Sequence, residues 1–251
     1  MRSLASWLRS LVRGAGAPPR APSRRDGLDS ETAFWDGWLA RREHAGFAFR
    51  TDPTSQLQPW LWCHLDPTRP IHRVLDVGSG PLSVVGRVAP AGRLELTCCD
   101  PLASVYHALL AKHGITPVHS IDDVAGEALV QRYGNAGFDL ALSNNAVDHA
   151  ASPIDVLRQM ALVVRVGGTV LVQVGEREGQ HGGYGGLHQW DFWEDRGRLW
   201  LAARAGDPAD VTHALEPWLE QCSIARVDTN PAGVRWDRPH LRIVWRRRDP
   251  R

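Results

Sequence analysis

Lysine is almost missing from this 251-residue chain: Lys112 is the only one, and arginine supplies the rest of its 29 basic side chains. Set against 28 acidic residues, the formal charge is only +1, so no overall positive field draws the chain onto nucleic acid. Cysteine is scarce as well. Cys63, Cys98, Cys99 and Cys222 form no CxxC spacing, which argues against a thiolate metal site or a disulfide framework and points to reduced thiols in a cytoplasmic protein. No apolar run approaches the ~20 residues that cross a bilayer, and no internal repeat is present. What is there is a hydrophobic content of 43%, enough for one sizeable core.

The amino terminus stands apart. In MRSLASWLRSLVRG, Leu4, Trp7, Leu8, Leu11 and Val12 recur at helical spacing, with Arg2, Arg9 and Arg13 between them. Such a basic amphipathic helix, over residues 1–13, suits peripheral contact with an anionic membrane; docking on the domain and service as a transit peptide stay open. GAGAPPRAPSRRDG then reads as an unpacked linker, so residues 1–28 lie outside a domain at 29–251.

From Asp29 the pattern turns globular. SETAFWDGWLARR, with Ser30 as its N-cap, and QLQPWLWCHL predict a helical cover over residues 29–70. RVLDVGSG predicts a strand ending in a glycine turn, and PLSVVGRV the start of a helix. LELTCCD is a second strand, ASVYHALLAKHG a helix closed by Gly114, TPVHS a short third strand and DVAGEALVQRYG a third helix. FDLALS, then IDVLRQMALVVRVGG with a glycine C-cap, then TVLVQV predict strand four, a helix and strand five. SIARVDT and HLRIVWR form a late strand pair. Strands alternating with helices predict an α/β fold, a doubly wound and mostly parallel sheet covered on both faces. In such sheets ligands bind beyond the carboxyl ends of the strands. DVGSG, Asp100 and NNAVDH all fall there.

Gly78 and Gly80 let the chain turn sharply and bring backbone N–H groups against a ligand. The dinucleotide fingerprint asks for a third glycine where this chain has Ser83, and Asp76, two residues before the loop, repels a pyrophosphate. An acid in that place orients the loop or attracts an ammonium group. Asp100, ending strand two, is placed to accept both hydroxyls of a ribose. A ligand with a ribose, an amine and no phosphate fits S-adenosylmethionine.

RVLDVGSG, CCDPL, FDLALSNNAVDH and VRVGGTVLVQV, in that order, resemble the motif set of the class I S-adenosylmethionine-dependent methyltransferases. The resemblance implies a seven-stranded sheet whose last strand runs antiparallel. It makes residues 71–175 the cofactor-binding core and 176–251 the source of the acceptor site and the last strands. It also implies that Asp76, Gly78, Ser79 and Gly80 hold the methionine portion, that Asp100 binds the ribose, and that Pro101 and Leu102 flank the adenine. Asn144 and Asn145 would lie beneath the sulfonium. GEAL is similar to an adenine-edge motif of some members, which nominates Glu127.

Methyl transfer is an in-line displacement, and an enzyme gains most by holding the nucleophile at attack distance. A hydroxyl acceptor also needs a base near pKa 7, most often histidine. His149, just past strand four, is the first candidate, with Asp148 to hold its ring or contact substrate. His188 is the rival; it lies in GGYGGLHQWDFW, a glycine-rich loop expected to be mobile and to help build the acceptor pocket. No metal is expected, since His149, His181 and His188 show no tight ligand spacing. Trp35, Trp38, Trp60 and Trp62 suggest an aromatic cover over the cleft, and aromatic faces also stack on sugar rings.

The expectation is therefore methyl transfer to a hydroxyl of a small molecule or glycan. N- or C-methylation, a nucleic-acid substrate and a catalytically silent partner-binding subunit are the alternatives. Near-neutral charge and the lack of a D/N/S-P-P-Y/F motif after strand four weigh against nucleic acid. The oligomeric state is not legible in the sequence.

Overall fold

A computed structural model describes residues 24–42, 45–229 and 235–249. The amphipathic stretch at 1–13 and most of the expected linker lie outside these residues. The chain opens with α1 (Arg24–Arg41), α2 (Ala45–Thr51) and α3 (Pro59–Trp62), followed by β1 (Ile71–Val77). Next come β2 (Arg93–Cys99), α4 (Ala103–Lys112), β3 (Ile121–Asp122), α5 (Leu129–Tyr133) and β4 (Phe138–Asn144). α6 (Pro153–Val163), β5 (Val164–Gly175), α7 (Glu178–His181), β6 (Trp190–Asp195) and β7 (Arg198–Ala203) lead to β8 (Ala209–Asp210) and α8 (Val211–Leu215). β9 (Leu219–Thr229) and β10 (Arg235–Arg247) end the fold.

Seven strands form one sheet in the order β3-β2-β1-β4-β5-β10-β9. The strands from β3 through β5 pair in parallel, and only β10 runs against its two neighbours. Sequence order reverses between β1 and β4. Both faces of the sheet are covered, which explains the near-continuous apolar runs. Along β4, Leu140 and Leu142 point into one core with Leu61, Val74 and Leu171, while Ala141 joins the other with Leu75, Val172 and Ile243. The period-2 alternation of a strand divides these residues between the two layers. On α6, Val156, Leu157, Met160 and Ala161 fall on one helical stripe and bury it against the second core. Among the described residues no helix is long and apolar enough to cross a membrane.

Several elements differ from the sequence reading. PLSVVGRV forms no helix. Val88 instead bridges in parallel to Gln56, the Arg87 N–H donates to the Ser55 carbonyl at 2.7 Å, and Leu57 N–H donates to Val88 at 2.8 Å. Gly86 makes this possible: its φ is +93°, and a Cβ there would lie 2.3 Å from the Gln56 carbonyl oxygen. Ser30 is not an N-cap, because α1 already starts at Arg24, inside the stretch expected to be linker. TPVHS is not a strand; the pairing to β2 is made just after it, by Ile121 and Asp122. α6 has no glycine cap: β-branched Val164 takes an extended conformation at the helix end, and Gly167 and Gly168 lie within β5. Finally, β6, β7 and β8 form a separate antiparallel sheet that the sequence reading did not contain.

Candidate active site

A cavity of about 560 Å³ runs along the carboxyl ends of the strands, across the point where their order reverses. α1 lies over it. At one end of this helix Gly27 packs so closely on Gly186 that a Cβ would lie 2.7 Å from the Gly186 oxygen. At the other end Asp36 accepts from Lys112 Nζ at 2.8 Å and meets His113 Nε2 at 2.7 Å.

The bend after β1 forms one half of the cavity. Gly78 and Gly80 have φ of +70° and +63°, conformations that favour glycine. A Cβ on Gly78 would lie 2.3 Å from the Ala146 Cβ, and one on Gly80 would lie 2.8 Å from the Trp35 ring. Ser79 Oγ donates to the Gly80 carbonyl. Asp100 is fixed from two sides, its Oδ2 accepting from Gly80 N–H at 3.1 Å and its Oδ1 from Leu102 N–H at 2.9 Å. Burial raises its pKa to about 6 against the pull of those two bonds, and the nearby Glu31 carboxylate adds to the rise. Asp76 is likewise raised to about 6 by burial, countered by Ser83, Arg50 and Arg87. Asp76 Oδ2 and Ser143 Oγ, both in residues lining the cavity, are buried without a hydrogen-bond partner. A ligand offering donors would satisfy them.

Pro101 and Leu102 border this half, Pro101 exposed and Leu102 half-buried. Asn144 Oδ1 accepts from Gln173 Nε2 at 2.9 Å, and Asn145, at φ +51°, donates its N–H to the Gln173 carbonyl at 2.7 Å. Glu127 borders the cavity but is anchored elsewhere: its Oε1 accepts from the N–H groups of Ala151 and Ser152, just ahead of α6. Its role there is to satisfy donors at the entry to a helix.

Arg50 is the group that the sequence reading missed. It lines the cavity from α2, donates to the Leu82 carbonyl at 2.7 Å, and lies 5.4 Å from the ring centre of Trp38. Burial lowers its pKa to about 10, partly offset by Asp76, so it stays cationic at neutral pH. Nothing distinguished it among the many arginines of the chain. Trp35 and Trp38 do cover the cleft, but Trp60 and Trp62 do not. They pack with Leu61 on another face of the sheet, where Arg242 lies 4.4 Å from the Trp60 ring centre.

The other half of the cavity gathers Asp148, His149, Glu178, His188, Trp236 and Arg238. Asp148 is 1% exposed, in the short turn Val147–His149 after β4. Its Oδ2 lies 2.7 Å from His188 Nδ1 and 3.7 Å from His149 Nε2, so the carboxylate pairs with His188 rather than with its sequence neighbour. The acceptor carboxylate fixes the proton on His188 Nδ1. Burial pushes the His188 pKa down, but the hydrogen bond and charge of Asp148, with Glu178 behind it, raise it above the ordinary histidine value. Burial likewise pushes Asp148 up, and the two histidines outweigh it and hold the carboxyl below its usual range. Glu178 in turn accepts from Arg238 Nη2 at 2.6 Å.

The loop carrying His188 is braced rather than loose. Asp191 accepts from Tyr184 Oη at 2.6 Å and Gln180 N–H at 2.8 Å, and Trp190 Nε1 donates to the Ala150 carbonyl at 3.0 Å. His181 lies exposed at the end of α7; the His and carboxylate atoms that converge are those of Asp148, His149 and His188.

Strand order, the bend after β1 and the acid ending β2 define the class, a Rossmann-like methyltransferase fold. Residues 75–172 match the family model described as a methyltransferase domain. Among solved structures it is similar to N-methyltransferase NodS from Bradyrhizobium japonicum WM9 in complex with S-adenosyl-L-homocysteine. Identity is 14%, over 91% of this chain and 100% of that one, with a TM-score of 0.53. It is also similar to a chain of the complex between the Haloferax volcanii Trm112 methyltransferase activator and a methyltransferase, at 16% identity, over 90% of this chain and 98% of that one, with a TM-score of 0.50. No curated protein matches the chain.

Proposed function

We propose that the chain transfers a methyl group from S-adenosylmethionine to a hydroxyl of a small molecule or glycan, with the Asp148–His188 pair taking up the proton. When bound, the cofactor supplies an electrophilic methyl group on a positively charged sulfur. The residues present fit it. Asp100 keeps lone pairs with which it would accept from a ribose diol, the orphaned Asp76 oxygen suits an ammonium group, and cationic Arg50 suits a carboxylate. Gly78 and Gly80 keep the loop free of side chains that would fill this space.

A hydroxyl is a poor nucleophile at neutral pH and gains from a positioned base. Because His188 commits its Nδ1 proton to Asp148, its Nε2 keeps the lone pair that accepts a proton. The 2.7 Å contact between Asp148 Oδ2 and His188 Nδ1 is the observation that carries this reading. It favours His188 over His149, the first candidate, as the base. Trp236 at the same end stacks one ring face on His240, with centres 3.4 Å apart, so only its other face could meet a sugar or planar acceptor.

The test is His188→Gln, assayed for methyl transfer to a panel of hydroxylated acceptors and for calorimetric binding of S-adenosylhomocysteine. Turnover should fall ~10²–10⁴-fold while binding stays within about twofold. Equal loss of binding and turnover would make His188 a scaffold residue. A second reading, an amine acceptor, draws on the Glu31 and Glu178 carboxylates bordering the cavity; turnover on amines but not on hydroxyls would select it.

A further inference from the structure

Asp148 Oδ2, His149 Nε2 and His188 Nδ1 face one another at the acceptor end of the cavity. They stand 2.7 Å, 3.1 Å and 3.7 Å apart, and the two imidazoles meet edge to face with ring centres 4.5 Å apart. The three atoms come from two segments, the turn after β4 and the loop before β6. Sequence spacing alone therefore could not reveal them. Asp148 and His149 are adjacent in the chain, and His188 is brought to them by the loop braced on Asp191 and Trp190. In this arrangement the proton on His188 Nδ1 occupies the space that this nitrogen shares with Asp148 Oδ2 and His149 Nε2.

The three separations define a triangle whose corners lie about 1.9 Å from a common centre; an ion with ~2.0–2.1 Å bonds to nitrogen and oxygen reaches all three while sitting just above their plane. Two imidazoles and one carboxylate match the preference of borderline divalent ions rather than of magnesium or calcium, which take oxygen ligands. Glu178 Oε1, at 3.9 Å from His188 Nδ1, is engaged by Arg238 and stays outside the set.

We infer that Asp148, His149 and His188 form a binding site for a divalent cation of the zinc class, and that its occupancy turns off the proposed base. This departs from the sequence expectation of no metal. The second half of the inference rests on the reading of His188 as base, and it follows from the tautomer. A neutral imidazole carries one ring proton. With that proton on Nδ1, facing Asp148, Nε2 holds a free lone pair. With a cation on Nδ1 the proton resides on Nε2, and no lone pair is left to accept another from the acceptor hydroxyl. The cation thus replaces the shared proton and converts an acceptor nitrogen into a donor.

The experiment titrates full-length protein with Zn²⁺ by calorimetry after chelator treatment, in a Cys63→Ser, Cys222→Ser background because these two thiols are exposed. One ion should bind per chain, and His149→Ala should weaken it at least tenfold. Co²⁺ in place of Zn²⁺ should give a visible absorption band that the same substitution removes. Methyl transfer to the acceptor found by the His188 assay should stop when the site fills and return when a chelator is added. Absence of micromolar binding, or an affinity indifferent to His149→Ala, overturns the site even if His188→Gln abolishes turnover. Binding that leaves turnover intact overturns the switch and removes His188 from proton transfer while the site stands. Loss of turnover on chelation, with recovery on Zn²⁺, overturns the inhibitory role.

Discussion

Replacing Arg50 by methionine removes the cation at the proposed amino-acid end of the cavity while keeping most of its volume. In the protein the guanidinium donates to Leu82 O at 2.7 Å and packs on Trp35 and Trp38, so part of the loss is structural. One neutral acceptor left without its donor costs about 1 kcal/mol. A charge-assisted bond to a carboxylate contributes about 1.5–3 kcal/mol, so affinity for S-adenosylhomocysteine should fall roughly 10- to 150-fold. 5′-Methylthioadenosine, which keeps the nucleoside and thioether but has no amino-acid group, should bind within about twofold of the parent. Calorimetry with both ligands, beside a thermal melt of each variant, separates the terms. Equal weakening of both ligands would mean that Arg50 only supports the wall. No weakening of either would remove it from the cofactor site. Arg50 also helps to hold the Asp76 pKa down, so the variant should lose affinity at a higher pH than the parent as acid is added.

Two further outcomes follow from the same residues. Asp76 and Asp100 titrate near 6 instead of the ordinary 3.8 because burial disfavours their charge. The sign is then fixed: each contributes stability that is present below pH 3.8 and lost as pH rises through about 6, at most ~3 kcal/mol per group. The proposed contacts to the ribose and the ammonium group use the ionised forms, so S-adenosylhomocysteine should bind at least tenfold more weakly at pH 5 than at pH 7.5. Asp100→Asn should flatten both profiles, and an affinity independent of pH would contradict the roles given to these carboxylates. Gly86→Ala, which would push a Cβ against the Gln56 carbonyl at a φ of +93°, should lower stability by more than about 1 kcal/mol; an unchanged melting temperature would show that the bridge to Val88 is not needed.

The parallel core was legible because buried strands advertise themselves. FDLALS and TVLVQV lack the polar alternation of a half-exposed strand, and asparagines or a glycine stand at their carboxyl ends. The bend after β1 was legible for a related reason: Gly78 and Gly80 take positive φ, and Ser83 at the third place weighs against a phosphate. PLSVVGRV was misread because its β-branched valines suit either helix or extended chain, and the choice is made by a distant partner, Gln56. The β6–β7 hairpin had a local sign that went unused. Arg196 and Gly197 both take positive φ, the geometry of a two-residue turn between antiparallel strands. The pairing of Asp148 with His188 across 40 positions had none, since only the folded loop brings them together. Arg50 was hidden in the same way, one arginine among many until burial set it apart.

The most direct measurement is a calorimetric comparison of S-adenosylhomocysteine, NAD and ATP on the ligand-free protein. The account predicts one site per chain for the homocysteine nucleoside and no heat from either phosphorylated ligand. Saturable binding of NAD or ATP in the cleft, with S-adenosylhomocysteine ignored, would contradict it.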